Sequence, residues 1–345
     1  ANEHGVEVRL WVDDLAAFAH LCPEIDVAHD RQRLGGVDIW RWRQPFPEAI
    51  APADVVIEAF ACQLPESYVD AMARRESKPH WINLEYLSAE DWVAGCHGLP
   101  SPHPQLPLTK HFFIPGFDSQ SGGLLREQDV LARHASFDAA DWWGAHGGAS
   151  IEGTLSVSLF AYENRAVSEL LAAWREEVQP IRCLVTESRI LTSVSAAMGE
   201  PLAAGDRRLN GRLDLQVLPF MRQEAYDDLL AACDLNFVRG EDSLVRAIWA
   251  GKPFVWHIYP QDDDAHRIKL DAFLDRYCTG LSAAASEVLR SFWHAWNAAT
   301  ATAAHWQAYA IHLPEIAAQT RKFRDRLAQL PDLAKTLANF CSAPV

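Results

Sequence analysis

The chain has 345 residues, of which 49% are hydrophobic, and carries a formal net charge of -15 at pH 7. This length predicts two domains, and the acidic balance argues against a nucleic-acid-binding protein, which normally carries a basic patch. No apolar stretch approaches the roughly 20 residues of a membrane span. The seven cysteines are scattered without a CxxC pair, which indicates reduced thiols and not a disulfide framework. We therefore expect a soluble cytoplasmic protein.

The start of the chain has the pattern of a helix end. Glu3-His4-Gly5 precede a predicted strand at 6–12, and a glycine in this place is typical of a helix C-terminus. A helix of this kind normally follows a strand, in a unit of about 30 residues. We therefore expect that a strand and a helix upstream of Ala1 are missing from this sequence.

The first half alternates short apolar runs with helical patterns. Strands are predicted at 6–12, 36–41, 54–59, 79–84 and 111–114, and helices at 14–21, 65–75 and 90–97. This alternation predicts parallel α/β packing. Residues 115–150 are predicted to be a loop-rich, functional region, in which Gly122 and Gly123 suggest a turn that a ligand approaches closely. Gly144 to Gly153 is the best candidate for a linker.

The second half repeats the alternation. Strands are predicted at 154–161, 181–185, 213–218, 234–238 and 253–258, helices at 164–177, 222–231, 243–250, 262–276 and 283–298, and an amphipathic tail at 314–340. We predict an α/β protein of the GT-B glycosyltransferase architecture, with two Rossmann-like domains facing a cleft. The domains are 1–146 and 153–312, and a C-terminal helical tail, 313–345, packs back toward the N-terminal domain.

Residues 237–260 are the most informative segment. An apolar strand ends at Arg239-Gly240, a helix begins near Ser243, and a second strand follows. Gly240 allows a sharp turn and close approach of a ligand. The N-terminus of the helix presents N–H groups and a positive dipole end, which favour a diphosphate. The segment therefore predicts a nucleotide-binding unit of a doubly wound sheet.

Four segments carry a resemblance to a known family. They are Asn83 to Trp92, Phe112 to Phe117, Gly122 to Glu127, and the 237–260 segment. Over almost its whole length the chain resembles the elongation factor P protein-arginine rhamnosyltransferase (EarP) family of bacteria. The resemblance implies a GT-B fold, inverting transfer from dTDP-β-L-rhamnose, elongation factor P as the acceptor protein, and no cofactor or metal. The family's N-terminal loop, whose aspartates are candidates for activating the acceptor, has no counterpart here. We therefore expect the general base upstream of Ala1.

The resemblance also implies which residues bind the donor base. It places Phe220 and Gln223 on the thymine, which offers a flat face, two carbonyls and one N–H that a glutamine amide can match. It places Tyr162 in the donor pocket. The alternatives are a core phenylalanine, a helix-cap glutamine and a tyrosine that packs between domains.

The loop from Arg239 to Ser243 is the predicted centre of the chemistry. Ser243 and the first amides of the helix suit phosphates, and Arg239 could neutralise the departing diphosphate. Glu241 resembles the family's functional carboxylate and is our catalytic candidate, binding sugar hydroxyls or the acceptor guanidinium. Gly240 and Asp242 are also predicted to contact the donor. Alternatively, Asp242 is an N-cap and Glu241 is a favourable acid in the first turn.

Three other interpretations remain. His257, Asp262–Asp264 and His266 resemble a metal cluster, but their spacing is poor for zinc, and acids are expected at a helix start. A second interpretation is a GT-B enzyme with another acceptor. Enzymes that act on a lipid acceptor often have a basic, amphipathic face toward the membrane, and this acidic sequence shows none. A third interpretation is a non-catalytic nucleotide-sugar-binding protein, if the shortened N-terminus is native.

Overall fold

The computed structural model describes residues 5–47, 50–60, 62–146, 153–261, 264–300 and 302–342. Unit 1 comprises Ala1–Arg126 with Leu330–Val345, and unit 2 comprises Glu127–Gln329. Of the helix end expected at residues 3–5, Glu3 and His4 lie outside the described residues, as does most of the predicted 144–153 linker, whereas Gly5 is described and has a φ of +62°. Among the helices that are described, none combines the length and apolar character needed to cross a membrane.

Unit 1 contains two sheets with helices between their strands. Its elements are β1 (Val8–Val12), α1 (Leu15–Leu21), β2 (Arg31–Leu34), β3 (Val37–Arg41), β4 (Val55–Ala59), α2 (Glu66–Arg74), β5 (His80–Leu84), α3 (Val93–Cys96), β6 (Pro100–Pro102) and β7 (Thr109–Phe113). The strand orders are β1-β3-β2 and β4-β5-β7-β6. Strands β2 and β6 are antiparallel edge strands, and the other neighbours are parallel.

The core of unit 1 is rich in aromatic side chains. Phe46, Tyr68 and Trp81 are buried, and Trp11 and Trp42 pack against this cluster from the first sheet. The Trp11 ring centroid lies 4.8 Å from that of Phe46. These contacts connect the two sheets of the unit, which sequence periodicity had suggested as one Rossmann-like domain.

The C-terminal segment of the chain belongs to unit 1. Helix α13 (Leu333–Ser342) places Phe340 5.5 Å from His111 and 5.7 Å from Phe113, measured between ring centroids. A Cβ at Gly123, whose φ is +76°, would lie 2.5 Å from the carbonyl oxygen of Pro331. The close approach predicted at Gly122 and Gly123 is therefore to the chain's own C-terminal segment.

Unit 2 is built on one sheet of six strands. Its elements are α4 (Val130–Ser136), α5 (Ala139–Ala145), β8 (Leu155–Leu159), α6 (Val167–Arg175), β9 (Ile181–Thr186), α7 (Ile190–Met198), β10 (Arg207–Asn210), β11 (Leu213–Leu218), α8 (Gln223–Ala232), β12 (Leu235–Arg239), α9 (Asp242–Ala250), β13 (Phe254–His257), α10 (Ala265–Tyr277), α11 (Ala283–Asn297) and α12 (Thr302–Ala328). The order is β10-β11-β9-β8-β12-β13, parallel except for β10.

The strand order of unit 2 reverses direction between β8 and β12. From β8 the chain adds β9 and β11 on one side, then returns to add β12 and β13 on the other. In open parallel sheets, ligands bind outside the carboxyl ends of the strands at such a reversal. The predicted mixed α/β fold is confirmed, and its topology indicates where a site should lie.

The boundaries of the two units differ from those that the sequence predicts. Residues 127–146 belong to unit 2, because α4 packs against α9 and α5 against α8. The indole Nε1 of Trp143 donates to the carbonyl of Ala232 at 3.2 Å. The tail divides at Leu330: α12 starts at Thr302, includes Pro314, and stays in unit 2 because Trp306 and Tyr309 are fully buried.

Candidate functional site

The reversal point of the unit 2 sheet brings together residues that are far apart in sequence. Tyr162 follows the carboxyl end of β8, and Arg239 is the last residue of β12, which pairs with β8. The guanidinium carbon of Arg239 lies 4.9 Å from the ring centroid of Tyr162 and 4.6 Å from that of Phe160. The structure therefore places two of the predicted donor-binding residues in direct contact.

Arg239 is a half-buried cation without a carboxylate partner. No ion pair joins it to an acidic side chain within the described part of the chain. Burial lowers the pKa of its guanidinium, and the positive charge of Arg189 lowers it further. Desolvating a charge without pairing it is unfavourable, so this arrangement favours an anionic ligand at the site.

Gly240 has the backbone conformation that the turn requires. Its φ is +64°, in the left-handed region, and a Cβ at this position would lie 3.2 Å from the hydroxyl oxygen of Tyr162. Its carbonyl oxygen accepts a hydrogen bond of 2.7 Å from the indole Nε1 of Trp256. A side chain here would be strained by both φ and the tyrosine. The prediction that glycine permits a sharp turn is confirmed.

Helix α9 begins one residue earlier than a cap at Asp242 would require. Glu241 occupies the N-cap position without a side-chain capping bond, and Asp242 is the first helical residue. The Asp242 carboxylate instead accepts hydrogen bonds from Gln223 and Arg246. The interpretation of Asp242 as an N-cap is therefore wrong. Because neither acid caps the helix with its side chain, the first amides of α9 suit an anion.

Ser243 differs in role from the other predicted residues. Its side chain is buried, and its hydroxyl donates to the carbonyl oxygen of Arg239, one turn earlier. The hydroxyl is therefore committed to the loop itself. The assignment of Ser243 to phosphates stays a prediction. With the hydroxyl committed to the loop, the backbone N–H of Ser243 is the group that remains for a phosphate oxygen.

The predicted base-binding residues follow the carboxyl end of β11, which β9 separates from β8 in the sheet. Phe220 follows β11 and is 55% exposed, so its ring is available to a ligand. Gln223 is the first residue of α8, and its Nε2 lies 3.1 Å from a carboxylate oxygen of Asp242. The structure thus joins Gln223 to the Arg239–Ser243 loop through Asp242, and an exposed aromatic face stands three residues before it.

A shallow pocket of about 270 Å³ lies beside Tyr162. Glu163, Arg189, Tyr259 and Pro260 complete its lining. Sequence reasoning missed Arg189 and Tyr259. Both follow carboxyl ends of strands, after β9 and β13 respectively, and this position was the signal that could have identified them. Arg189 adds a second positive charge near Arg239.

His257 packs against the ring of Tyr162. Its ring centroid is 5.3 Å from that of Tyr162. Burial, with the nearby charges of Arg239 and His266, lowers the pKa of His257 to about 4. The imidazole is therefore neutral near pH 7. In the described residues no group of three or more His, Cys, Asp or Glu is placed to hold a metal ion, and Asp262 and Asp263 of the possible cluster lie outside them.

Comparisons with known proteins point to one family. The family model described as "Elongation-Factor P (EF-P) rhamnosyltransferase EarP" matches residues 1–342. A protein-arginine rhamnosyltransferase of Pseudomonas putida is 49% identical over 344 residues, which cover 98% of this chain and 91% of that protein. One of Pseudomonas aeruginosa is 47% identical over 346 residues, covering 99% and 92%.

A solved structure gives the same result. It is described as "Structural basis for EarP-mediated arginine glycosylation of translation elongation factor EF-P", and it aligns with a TM-score of 0.65 at 34% identity. The alignment covers 97% of both chains. Sequence and structure therefore agree, and this chain belongs to the family of elongation factor P rhamnosyltransferases.

Proposed function

We propose that this protein transfers L-rhamnose from dTDP-β-L-rhamnose to an arginine side chain of translation elongation factor P, with inversion at the sugar carbon. Membership of the family and relatives named protein-arginine rhamnosyltransferase support the reaction and the acceptor. The donor nucleotide is supported by the site itself. A translation factor as acceptor would place the reaction in the cytoplasm.

The observation that carries the donor assignment is the cation at the sheet reversal. Among the residues that the structure describes, no carboxylate pairs with Arg239, which stacks on Tyr162 and Phe160 just before helix α9, and the N-cap residue Glu241 makes no side-chain capping bond. A nucleoside diphosphate supplies the negative charge that this arrangement lacks. As the glycosidic bond breaks, charge accumulates on the diphosphate, and Arg239 would stabilise it most at that moment.

The acceptor is chemically difficult. An arginine side chain keeps its proton above a pKa of about 12, and a guanidinium is a poor nucleophile. A carboxylate opposite the leaving group must orient the guanidinium and take the proton that its nitrogen loses as that nitrogen bonds to the sugar carbon and the diphosphate leaves. We assign Glu241 as a carboxylate that contacts the sugar or the acceptor, because it follows Gly240 directly at the donor turn.

No cofactor enters this mechanism. The nucleotide is the leaving group, and departure of a diphosphate needs positive charge and hydrogen-bond donors. Arg239, Arg189 and the first amides of α9 can supply both from this chain alone. We therefore propose that transfer proceeds without a bound metal ion.

Incubation of the full-length protein with dTDP-β-L-rhamnose and elongation factor P, followed by intact mass measurement, tests the proposal. We expect the acceptor to gain one deoxyhexose. The matched control is an acceptor in which the target arginine is replaced by lysine, which should stay unmodified. Modification of the lysine variant at the same rate, or no modification of either, would reject arginine transfer.

A further inference from the structure

The side-chain amide of Gln223 has a defined direction. Its Nε2 lies 3.1 and 3.3 Å from the two carboxylate oxygens of Asp242. A carboxylate paired with an arginine only accepts hydrogen bonds, so the NH₂ group must face Asp242. The carbonyl oxygen Oε1 is then the atom left for a ligand, and it accepts no hydrogen bond from any residue that the structure describes.

Asp242 is itself held by a buried arginine. The Asp242 side chain is 62% exposed, whereas that of Arg246 is only 7% exposed. The guanidinium Nε of Arg246 donates to Asp242 Oδ2 at 3.2 Å. An exposed carboxylate would normally sample several rotamers. The Asp242 carboxylate is instead held by its hydrogen bond from the buried Arg246 side chain.

The orientation of Arg246 is fixed by two further carboxylates. Its Nη1 lies 2.9 Å from both oxygens of Asp227, and its Nη2 lies 3.0 Å from Glu127 Oε1. Asp227 also accepts a hydrogen bond of 2.9 Å from Arg133. A planar guanidinium whose three nitrogens all have partners has a single orientation. The direction of its Nε toward Asp242 is therefore determined by residues outside the donor pocket.

The charge of Arg246 is stable. Burial alone would lower the pKa of its guanidinium, but the charges of Asp242, Asp227 and Glu127 raise the pKa overall. The cation at the centre of the network is therefore retained.

We infer that Arg246 is a positioning residue which, through Asp242, keeps the Gln223 carbonyl oxygen toward the donor base and so selects bases that present an N–H there. Thymine and uracil have an N3–H between two carbonyls. Cytosine has an unprotonated N3, which would meet Oε1 as a second acceptor and leave both atoms without a hydrogen. The inference rests on the proposed assignment of Gln223 to the donor base.

The test compares nucleotides of different base. Calorimetry gives Kd for dTDP, UDP and CDP with the full-length wild type, Asp242→Asn, Arg246→Lys and Glu224→Gln. An asparagine can donate or accept, so Gln223 can reverse its amide in Asp242→Asn. We expect the preference for dTDP over CDP to fall about ten-fold in that variant, which is what one hydrogen bond contributes. Arg246→Lys, which keeps the charge but loses the planar fork, should lower the preference in the same direction.

The control removes the same charge from a neighbouring residue. Glu224 lies in the first turn of α8, and Glu224→Gln should keep the wild-type preference. A general loss of stability would weaken the binding of dTDP and of CDP equally and leave the ratio of their Kd values unchanged. A change in that ratio therefore reports on the orientation of Gln223. Asp242→Asn alters an exposed side chain, so it carries the test even if Arg246→Lys does not fold.

The outcomes separate this inference from the proposed function. An unchanged dTDP-to-CDP ratio in Asp242→Asn overturns the positioning role. Equal affinity of the wild type for dTDP and CDP overturns it too, while rhamnose transfer to elongation factor P would still stand. A wild-type protein that neither binds dTDP nor transfers rhamnose overturns both.

Discussion

Replacing Arg239 by methionine should separate binding of the diphosphate from binding of the base. Methionine keeps an unbranched chain that can lie over Phe160 and Tyr162, the rings that Arg239 covers at 4.6 and 4.9 Å. The charge and all hydrogen-bond donors are lost. Because no carboxylate in the described residues pairs with Arg239, no acid is left without its partner.

The structure allows the size of the effect to be estimated. One hydrogen bond to a charged group contributes about 1.5–3 kcal/mol, which corresponds to a loss of about 10- to 150-fold in affinity for dTDP. Stability should change little. The lost cation–π contacts are worth about 0.5–1 kcal/mol each, and the burial that lowers the pKa of Arg239 offsets them. We expect Tm to shift by less than about 4 °C.

Calorimetric titrations with dTDP and with thymidine separate the contribution of the diphosphate to affinity from that of the nucleoside. Arg239→Met should lose affinity for dTDP and keep that for thymidine, which has no phosphate. Arg321→Met, which removes an arginine from the exposed face of α12, should behave as wild type with both. Equal losses for dTDP and thymidine, or no loss for either, would refute the placement of the diphosphate at Arg239.

Three further predictions concern the same unit. Phe220→Ala and Gln223→Ala should each weaken dTDP binding by about 1–3 kcal/mol, and wild-type Kd values in calorimetry would remove the assignment to thymine. Glu241→Gln should lower turnover more than donor affinity, and unchanged turnover at saturating substrates would reduce Glu241 to a helix-start acid. For His257, the folded pKa of about 4 lies below the ordinary 6.5, so its stabilising contribution is present above pH 6.5 and is lost as the pH falls toward 4. The free energy of unfolding should drop by about 2 kcal/mol between pH 7 and 5 in wild type, with a smaller drop in His257→Phe; equal drops in denaturant titrations would contradict this.

Local features of the sequence determined the elements of the site. The strand that ends at Arg239, the glycine turn and the helix at Asp242 follow from residues adjacent in the chain, because turn and helix-start preferences act over a few residues. The same is true of most strands, whose apolar runs lie within a residue or two of the predicted bounds. Family motifs added the reaction, which no local pattern could indicate.

The tertiary structure decided which of these elements meet. The pairing of β8 with β12 places Arg239 against Tyr162, 77 residues earlier, and the Asp242 carboxylate joins Gln223 to the loop from Arg239 to Ser243. It also assigned residues 127–146 to unit 2, placed Arg189 in the pocket beside Tyr162, and placed Arg246 against Asp227. Neither arginine has a motif of its own. Strand order depends on long-range packing between complete elements. Periodicity records only which face of each element is buried, so the neighbours on that face become known only when the sheet is assembled.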